Sequence, residues 1–90
     1  MKRITVIIPW REGLHLRPAA RLVKLSQRFR SSIRLVCGAG IADTRSIFGI
    51  VALCAAMGTQ LDLEANGDDE QEAIQAMEAE FAPLQSDVIS

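Results

Sequence analysis

A chain of 90 residues is expected to form one domain, and an apolar share of 49% argues against a disordered protein. No apolar run approaches the roughly 20 residues of a transmembrane helix, and the N-terminal apolar run is too short for a signal peptide. The net charge of −1 conceals an asymmetry. Residues 1–45 carry all ten bases against two acids, whereas residues 46–90 carry nine acids and no base. This dipolar surface suits an acidic protein partner, and nucleic-acid binding is disfavoured because few aromatic residues accompany the bases.

Hydrophobic periodicity predicts strands and helices in the order βαββαβα. Strands are predicted at 2–10, 33–37, 41–44 and 60–65, and helices at 16–29, from Ser46 to Gly58, and from 68 to a proline at 83. Antiparallel strands with helices collected on one face form an α+β layer. We therefore expect one domain over residues 1–82, with residues 83–90 as a C-terminal tail or linker.

The two cysteines, Cys37 and Cys54, lack the spacing and the further ligands of a zinc site. We interpret them as reduced thiols in the core of a cytoplasmic protein, and we expect neither a metal nor another cofactor.

The stretch GLHLRPAARL at residues 13–22 holds the only histidine of the chain. Pro18 suits the first turn of a helix, which places His15 at or just before the N-cap. Backbone N–H groups at a helix start lack intrahelical partners and favour anions, above all phosphate. Arg17 adds a guanidinium that can grip phosphate oxygens, and a neutral imidazole is a nucleophile at pH 7. From these residues alone, a surface histidine beside an ordinary basic helix remains the alternative.

GLHLRPAA resembles the phosphohistidine motif of the HPr family, the histidine-containing phosphocarriers of the bacterial phosphoenolpyruvate-dependent sugar phosphotransferase system. TRSIFGIVAL resembles the regulatory-serine segment of that family, and GTQLDLEANGDDEQEAI resembles its last strand, turn and helix. The similarity extends from about residue 2 to residue 81. It implies an open-faced β-sandwich in which three helices cover one face of a four-stranded antiparallel sheet, in agreement with the order βαββαβα.

The resemblance also implies roles for single residues. His15 would accept a phosphoryl group at Nδ1 from phosphorylated enzyme I and pass it to a histidine of an enzyme IIA domain. Arg17 would neutralise the phosphoryl group, and the backbone amides of Leu16 and Arg17 would help to hold it. Such a protein is a carrier with a covalent phosphohistidine intermediate rather than a stand-alone enzyme. Leu16 departs from the family pattern, which usually has a small residue or threonine there, so partner fit is expected to differ.

Ser46 matches the serine that an ATP-dependent kinase phosphorylates in some bacteria, and its alternative interpretation is a plain N-cap. Beside it lies a helix that is apolar nearly all round and cannot bury every side. We expect a partner-docking surface of exposed apolar residues bordered by a basic stripe. Its predicted members are Leu16, Ala20, Arg21, Lys24, Gln27, Ile47, Phe48 and Val51.

Two further interpretations are open. The chain is either a free carrier, which we expect to be a monomer, or an HPr-like domain of a multi-domain phosphotransferase protein. The rival function is a regulatory protein-interaction domain of the same fold, acting through the Ser46 face.

Overall fold

The computed structural model describes residues 1–82, so the predicted tail at 83–90 lies outside the described residues. The elements are β1 (Lys2–Ile7), α1 (Leu16–Ser26), β2 (Ser32–Cys37), β3 (Gly40–Asp43), α2 (Ile47–Ala52), β4 (Gln60–Asn66) and α3 (Glu70–Phe81). The predicted order βαββαβα is confirmed.

The four strands form one antiparallel sheet in the order β1-β4-β2-β3. The register pairs Ile4 with Leu63 across β1 and β4, and Leu35 with Leu63 across β2 and β4. Because side chains alternate along a strand, this register aligns the apolar residues of neighbouring strands on one face. The three helices cover that face, so the fold is the expected open-faced β-sandwich.

The core lies between the sheet and the helices. Ile33 and Leu35 of β2 and Leu63 of β4 are fully buried, together with Leu22 of α1 and Met77 of α3. The apolar residues of the helices recur at spacings of three and four, which places them on one side of each helix. The chain therefore buries one contiguous core, and the starts of the helices lie at its rim.

The other face of the sheet carries ion pairs. Arg3 contacts Asp62 at 2.9 Å, and Arg34 contacts Glu64 at 2.7 Å. The Glu64 side chain lies on this outer face but is only 9% exposed, since the guanidinium groups of Arg3 and Arg34 lie against it. Hydrogen bonds from Thr5 and Arg3 lower the pKa of Asp62.

Three element ends differ from the predictions by three residues or more. β1 ends at Ile7 rather than residue 10, because Pro9 lacks the N–H that a continuing ladder would need. α1 ends at Ser26 rather than residue 29. Its last turn tightens there, with Arg28 N–H donating to Leu25 O at 3.0 Å.

The largest correction concerns α2, which ends at Ala52 and does not reach Gly58. Cys54 takes a left-handed conformation with φ of 53°, so the chain turns away from the helix direction. Ala55 O then accepts a hydrogen bond from Leu14 N–H at 2.8 Å. Prediction of Cys54 as a core thiol was also wrong, because its side chain is exposed, whereas Cys37 is half-buried.

Candidate functional site

The loop before α1 is fixed by backbone contacts. Gly13 N–H donates to Trp10 O at 2.9 Å, and the adjoining Leu14 is buried and bonded to Ala55 O. Gly13 has a φ of +78°, and a Cβ added to it would lie 2.5 Å from Ala55 O. Only glycine fits both the conformation and the space. The segment after α2 therefore holds in place the loop that leads into α1.

His15 is the N-cap residue of α1, as the sequence predicts. Its backbone is extended, and its carbonyl accepts the first helical hydrogen bond from Ala19 N–H at 3.1 Å. The imidazole makes no capping hydrogen bond and is 35% exposed. Within residues 1–82, the N–H groups of Leu16 and Arg17 donate to no protein acceptor, and Pro18 has no N–H. The helix start thus presents free amide donors beside an imidazole that makes no hydrogen bond within the described residues.

His15 lies in an open cleft of about 900 Å³. The cleft is also lined by three arginines and four apolar residues, Arg11, Arg17, Arg21, Trp10, Leu16, Ala20 and Met57. Arg21 is paired with Glu80 at 3.3 Å, whereas Arg17 is exposed and makes no ion pair within the described part of the chain. The arrangement brings together a nucleophile, amide donors and an unengaged guanidinium, the groups that an anion site requires.

The predicted docking residues fall into an exposed group and a half-buried group. Leu16 is 58% exposed and Phe48 is 79% exposed. Ala20, Arg21, Lys24 and Gln27 are exposed along α1, whereas Ile47 and Val51 are half-buried against the core. The structure places Leu16, Ala20 and Arg21 on the cleft of His15, and Phe48 outside its lining.

Sequence reasoning missed five residues that line this cleft, Pro9, Trp10, Arg11, Glu12 and Met57. Arg11 and Glu12 were assigned only to a loop, although their position just before His15 is a signal that they share its surroundings. Met57 was placed at the end of a long helix, and the early end of α2 is what brings it to the cleft. The Trp10 ring packs against Phe81 with centroids 5.0 Å apart, so it joins the cleft to α3.

Ser46 is the second residue predicted to be phosphorylated. It is exposed and is the N-cap of α2, where its Oγ accepts a hydrogen bond from Gly49 N–H at 3.2 Å. The plain capping interaction is therefore present.

Residues 1–82 contain no group of three His, Cys, Asp or Glu side chains that could hold a metal ion. Among these residues no helix has both the length and the apolarity to span a membrane.

The fold and the helix start are those expected of a histidine phosphocarrier. A family profile described as "PTS HPr component phosphorylation site" matches residues 2–82. The chain belongs to the HPr family, the phosphocarriers of the phosphotransferase system.

Individual relatives agree with this assignment. The phosphocarrier protein HPr of Treponema pallidum is 40% identical over 77 residues, covering 86% of this chain and 88% of the relative. The HPr-like protein Crh of Bacillus subtilis is 39% identical over 67 residues, covering 74% and 79%. Among solved structures, HPr of Thermoanaerobacter tengcongensis superposes with a TM-score of 0.82 at 39% identity, covering 90% of this chain and 96% of that one.

Proposed function

We propose that this protein accepts a phosphoryl group on Nδ1 of His15 from phosphorylated enzyme I and transfers it to a histidine of an enzyme IIA domain. The observation that carries the proposal is the place of His15 at the N-cap of α1, where its imidazole makes no capping hydrogen bond and lies beside the free amides of Leu16 and Arg17. Membership of the HPr family supports both partners.

The chemistry follows from the groups at the helix start. A neutral imidazole attacks phosphorus with its unprotonated nitrogen, and the bond from phosphorus to the donor breaks with its electrons returning to the donor. Nδ1 is bonded directly to Cγ, so it is the ring nitrogen closer to the backbone of the helix start. A phosphoryl group on Nδ1 would therefore lie near the amides of Leu16 and Arg17 and the positive end of the helix dipole.

Arg17 supplies the mobile part of this site. Its side chain is exposed and unpaired within residues 1–82, so it can turn onto phosphoryl oxygens without breaking an existing ion pair. Guanidinium groups bind phosphate in a bidentate manner, and the contact strengthens as charge develops on the oxygens. Arg17 thus binds the phosphoryl group and also stabilises the transition state of its transfer to His15.

Receipt of the phosphoryl group from enzyme I and its delivery to an enzyme IIA domain both require complexes that form and dissociate quickly. Leu16 and Phe48 are large exposed apolar side chains, and basic residues of α1 border the first of them. An apolar centre with a basic rim suits transient complexes with acidic partner surfaces, whose association rate falls with ionic strength. We propose that the protein works as a monomer in the cytoplasm.

Phosphorylation of Ser46 by a serine kinase is a further part of the proposal. The hydroxyl is exposed, which gives a kinase access. A phosphate there would replace the capping acceptor of Gly49 N–H at the start of α2 and change the charge beside Phe48. The alternative function, a regulatory interaction domain acting through this face, is supported by the similarity to Crh, the catabolite repression HPr of Bacillus subtilis.

Incubation with enzyme I and phosphoenolpyruvate tests the proposal. The wild type is expected to gain one acid-labile phosphoryl group, and His15→Ala is expected to gain none. Arg17→Ala should slow the reaction, whereas Arg28→Ala is the matched control, because Arg28 is equally exposed but does not line the cleft. An unphosphorylated wild type, or an undiminished adduct on His15→Ala, would contradict the carrier function and leave the regulatory alternative.

A further inference from the structure

Glu12 is the one carboxylate that lines the His15 cleft among the described residues. Its Oε1 lies 3.7 Å from Nε2 of His15. Neither the sequence motif nor the proposed mechanism gives it a role. A carboxylate repels the negatively charged oxygens of a nearby phosphoryl group. Its presence in the cleft is therefore unfavourable unless it also makes a stabilising contact with another group.

The backbone on both sides of the pair is fixed. The Gly13 N–H to Trp10 O bond closes the turn that contains Glu12, and His15 N–H donates to Gly13 O at 2.9 Å. The hydrogen bond from Leu14 N–H to Ala55 O at 2.8 Å holds this turn against the segment after α2. The side chains of Glu12 and His15 therefore extend from nearby positions on a hydrogen-bonded loop and face each other.

The side chains themselves keep some freedom. Glu12 is 77% exposed and has three rotatable side-chain torsions, so a small rotation shortens the 3.7 Å separation to hydrogen-bonding distance. Nε2 is the ring nitrogen farther from the backbone, whereas Nδ1 is bonded directly to Cγ. A carboxylate accepts hydrogen bonds but donates none when ionised, so it selects the ring form that carries its proton on Nε2.

We propose that Glu12 is a positioning residue that accepts the Nε2–H of His15 and thereby leaves Nδ1 unprotonated as the nucleophile. This inference rests on the proposed function. As the Nδ1–P bond forms and the bond from phosphorus to the donor breaks, Nε2 keeps its proton and the ring becomes positively charged. The Glu12 carboxylate faces that new charge, so its contact strengthens in the transition state and not in the resting protein.

Repulsion between Glu12 and the phosphoryl group acts in the opposite direction. In the proposed carrier the phosphoryl group is bonded to Nδ1, whereas the Glu12 carboxylate contacts the other ring nitrogen, Nε2. Arg11 and Arg17 also line the cleft and offset the negative charge of the phosphoryl oxygens. Attraction to the nearer ring cation is therefore the dominant effect of Glu12 on the rate.

Nitrogen-15 NMR of the unphosphorylated full chain tests the proposal directly, because the single histidine gives one unambiguous pair of ring-nitrogen signals. The neutral ring of the wild type is expected in the Nε2–H form, and Glu12→Ala is expected to show an increased share of the Nδ1–H form. Glu12→Gln keeps an acceptor and should retain the wild-type form. Glu78→Ala removes an exposed carboxylate of α3 and should change nothing.

Phosphoryl transfer from enzyme I provides the second readout. We expect Glu12→Ala to slow transfer about tenfold, with Glu12→Gln intermediate because it keeps the hydrogen bond and loses the charge. Unchanged ring-nitrogen signals in Glu12→Ala, or transfer by either variant at or above the wild-type rate, would overturn the role of Glu12. Failure of the carrier function itself is distinguishable, since a wild type that gains no phosphoryl group leaves the NMR comparison intact.

Discussion

Replacement of Gly13 by alanine should disrupt the loop that positions His15. The residue has a φ of +78°, and its new Cβ would lie 2.5 Å from Ala55 O and 3.2 Å from Ala56 Cα. Both neighbours are backbone atoms, so neither can yield by a side-chain rotation. The segment after α2 must move away, and the hydrogen bond from Leu14 N–H to Ala55 O is lost with it.

The expected cost has two parts. A left-handed conformation costs a residue with a Cβ about 1–2 kcal/mol. The forced displacement adds about 1–3 kcal/mol for overpacking, which includes a hydrogen bond of about 1 kcal/mol. We expect Gly13→Ala to lower the free energy of unfolding by about 2–5 kcal/mol, a large share of the roughly 5–15 kcal/mol of a small domain.

Gly38 provides the matched control. It has a φ of +60°, but nothing lies within 4 Å of an added Cβ, so Gly38→Ala bears only the conformational cost of about 1–2 kcal/mol. Urea unfolding followed by circular dichroism measures both variants, and fluorescence of the single tryptophan, Trp10, reports on the loop itself. Equal destabilisation by the two substitutions would refute the argument that contact with Ala55 requires glycine at position 13.

Three other substitutions test separate parts of the structure. Hydrogen bonds from Ser31 and the backbone lower the pKa of Asp69 below its ordinary 3.8, so its stabilisation is present above that value and is lost as the pH falls further. Asp69→Asn should therefore flatten the loss of stability between about pH 5 and pH 2, and an unchanged pH profile would contradict this. Met77→Ala should cost about 2–5 kcal/mol in thermal unfolding, because Met77 is fully buried. Phe48→Ser should leave stability within about 0.5 kcal/mol but weaken calorimetric binding to enzyme I about tenfold, and unchanged affinity would remove Phe48 from the docking surface.

The sheet and the helix start could be predicted from the sequence because local rules determine them. Alternation of apolar residues identified the buried face of β4, and Pro18 identified the first turn of α1 and hence the N-cap position of His15. These features depend on neighbours in the chain. Tertiary packing adds little to them.

The end of α2 could not be predicted because it depends on a distant contact. The run from Ile47 to Met57 has no proline or glycine after Gly49, so its composition favours a longer helix. The hydrogen bond between Leu14 and Ala55 makes the chain turn at Cys54 instead. The same turn brings Met57 to the cleft. The early end of α2 and the position of Met57 therefore depend on one distant contact, and neither could be predicted from the sequence.

The contact between Glu12 and His15 could not be predicted from the sequence for a different reason. Residues three apart face each other regularly only on a helix, and these two lie in a loop whose direction is determined by the left-handed Gly13. No periodic pattern describes such a loop. Its geometry follows from the close approach of Gly13 to the segment at 55–56.

The most direct test of the carrier function is to identify the phosphorylated atom. After incubation with enzyme I and phosphoenolpyruvate, phosphorus–nitrogen coupling in the NMR spectrum of nitrogen-15-labelled protein assigns the new bond to one ring nitrogen. The place of His15 at the start of α1 predicts a single phosphoryl group on Nδ1, where the amides of Leu16 and Arg17 can bind it. A phosphoryl group on Nε2, on another residue, or on no residue would contradict the account.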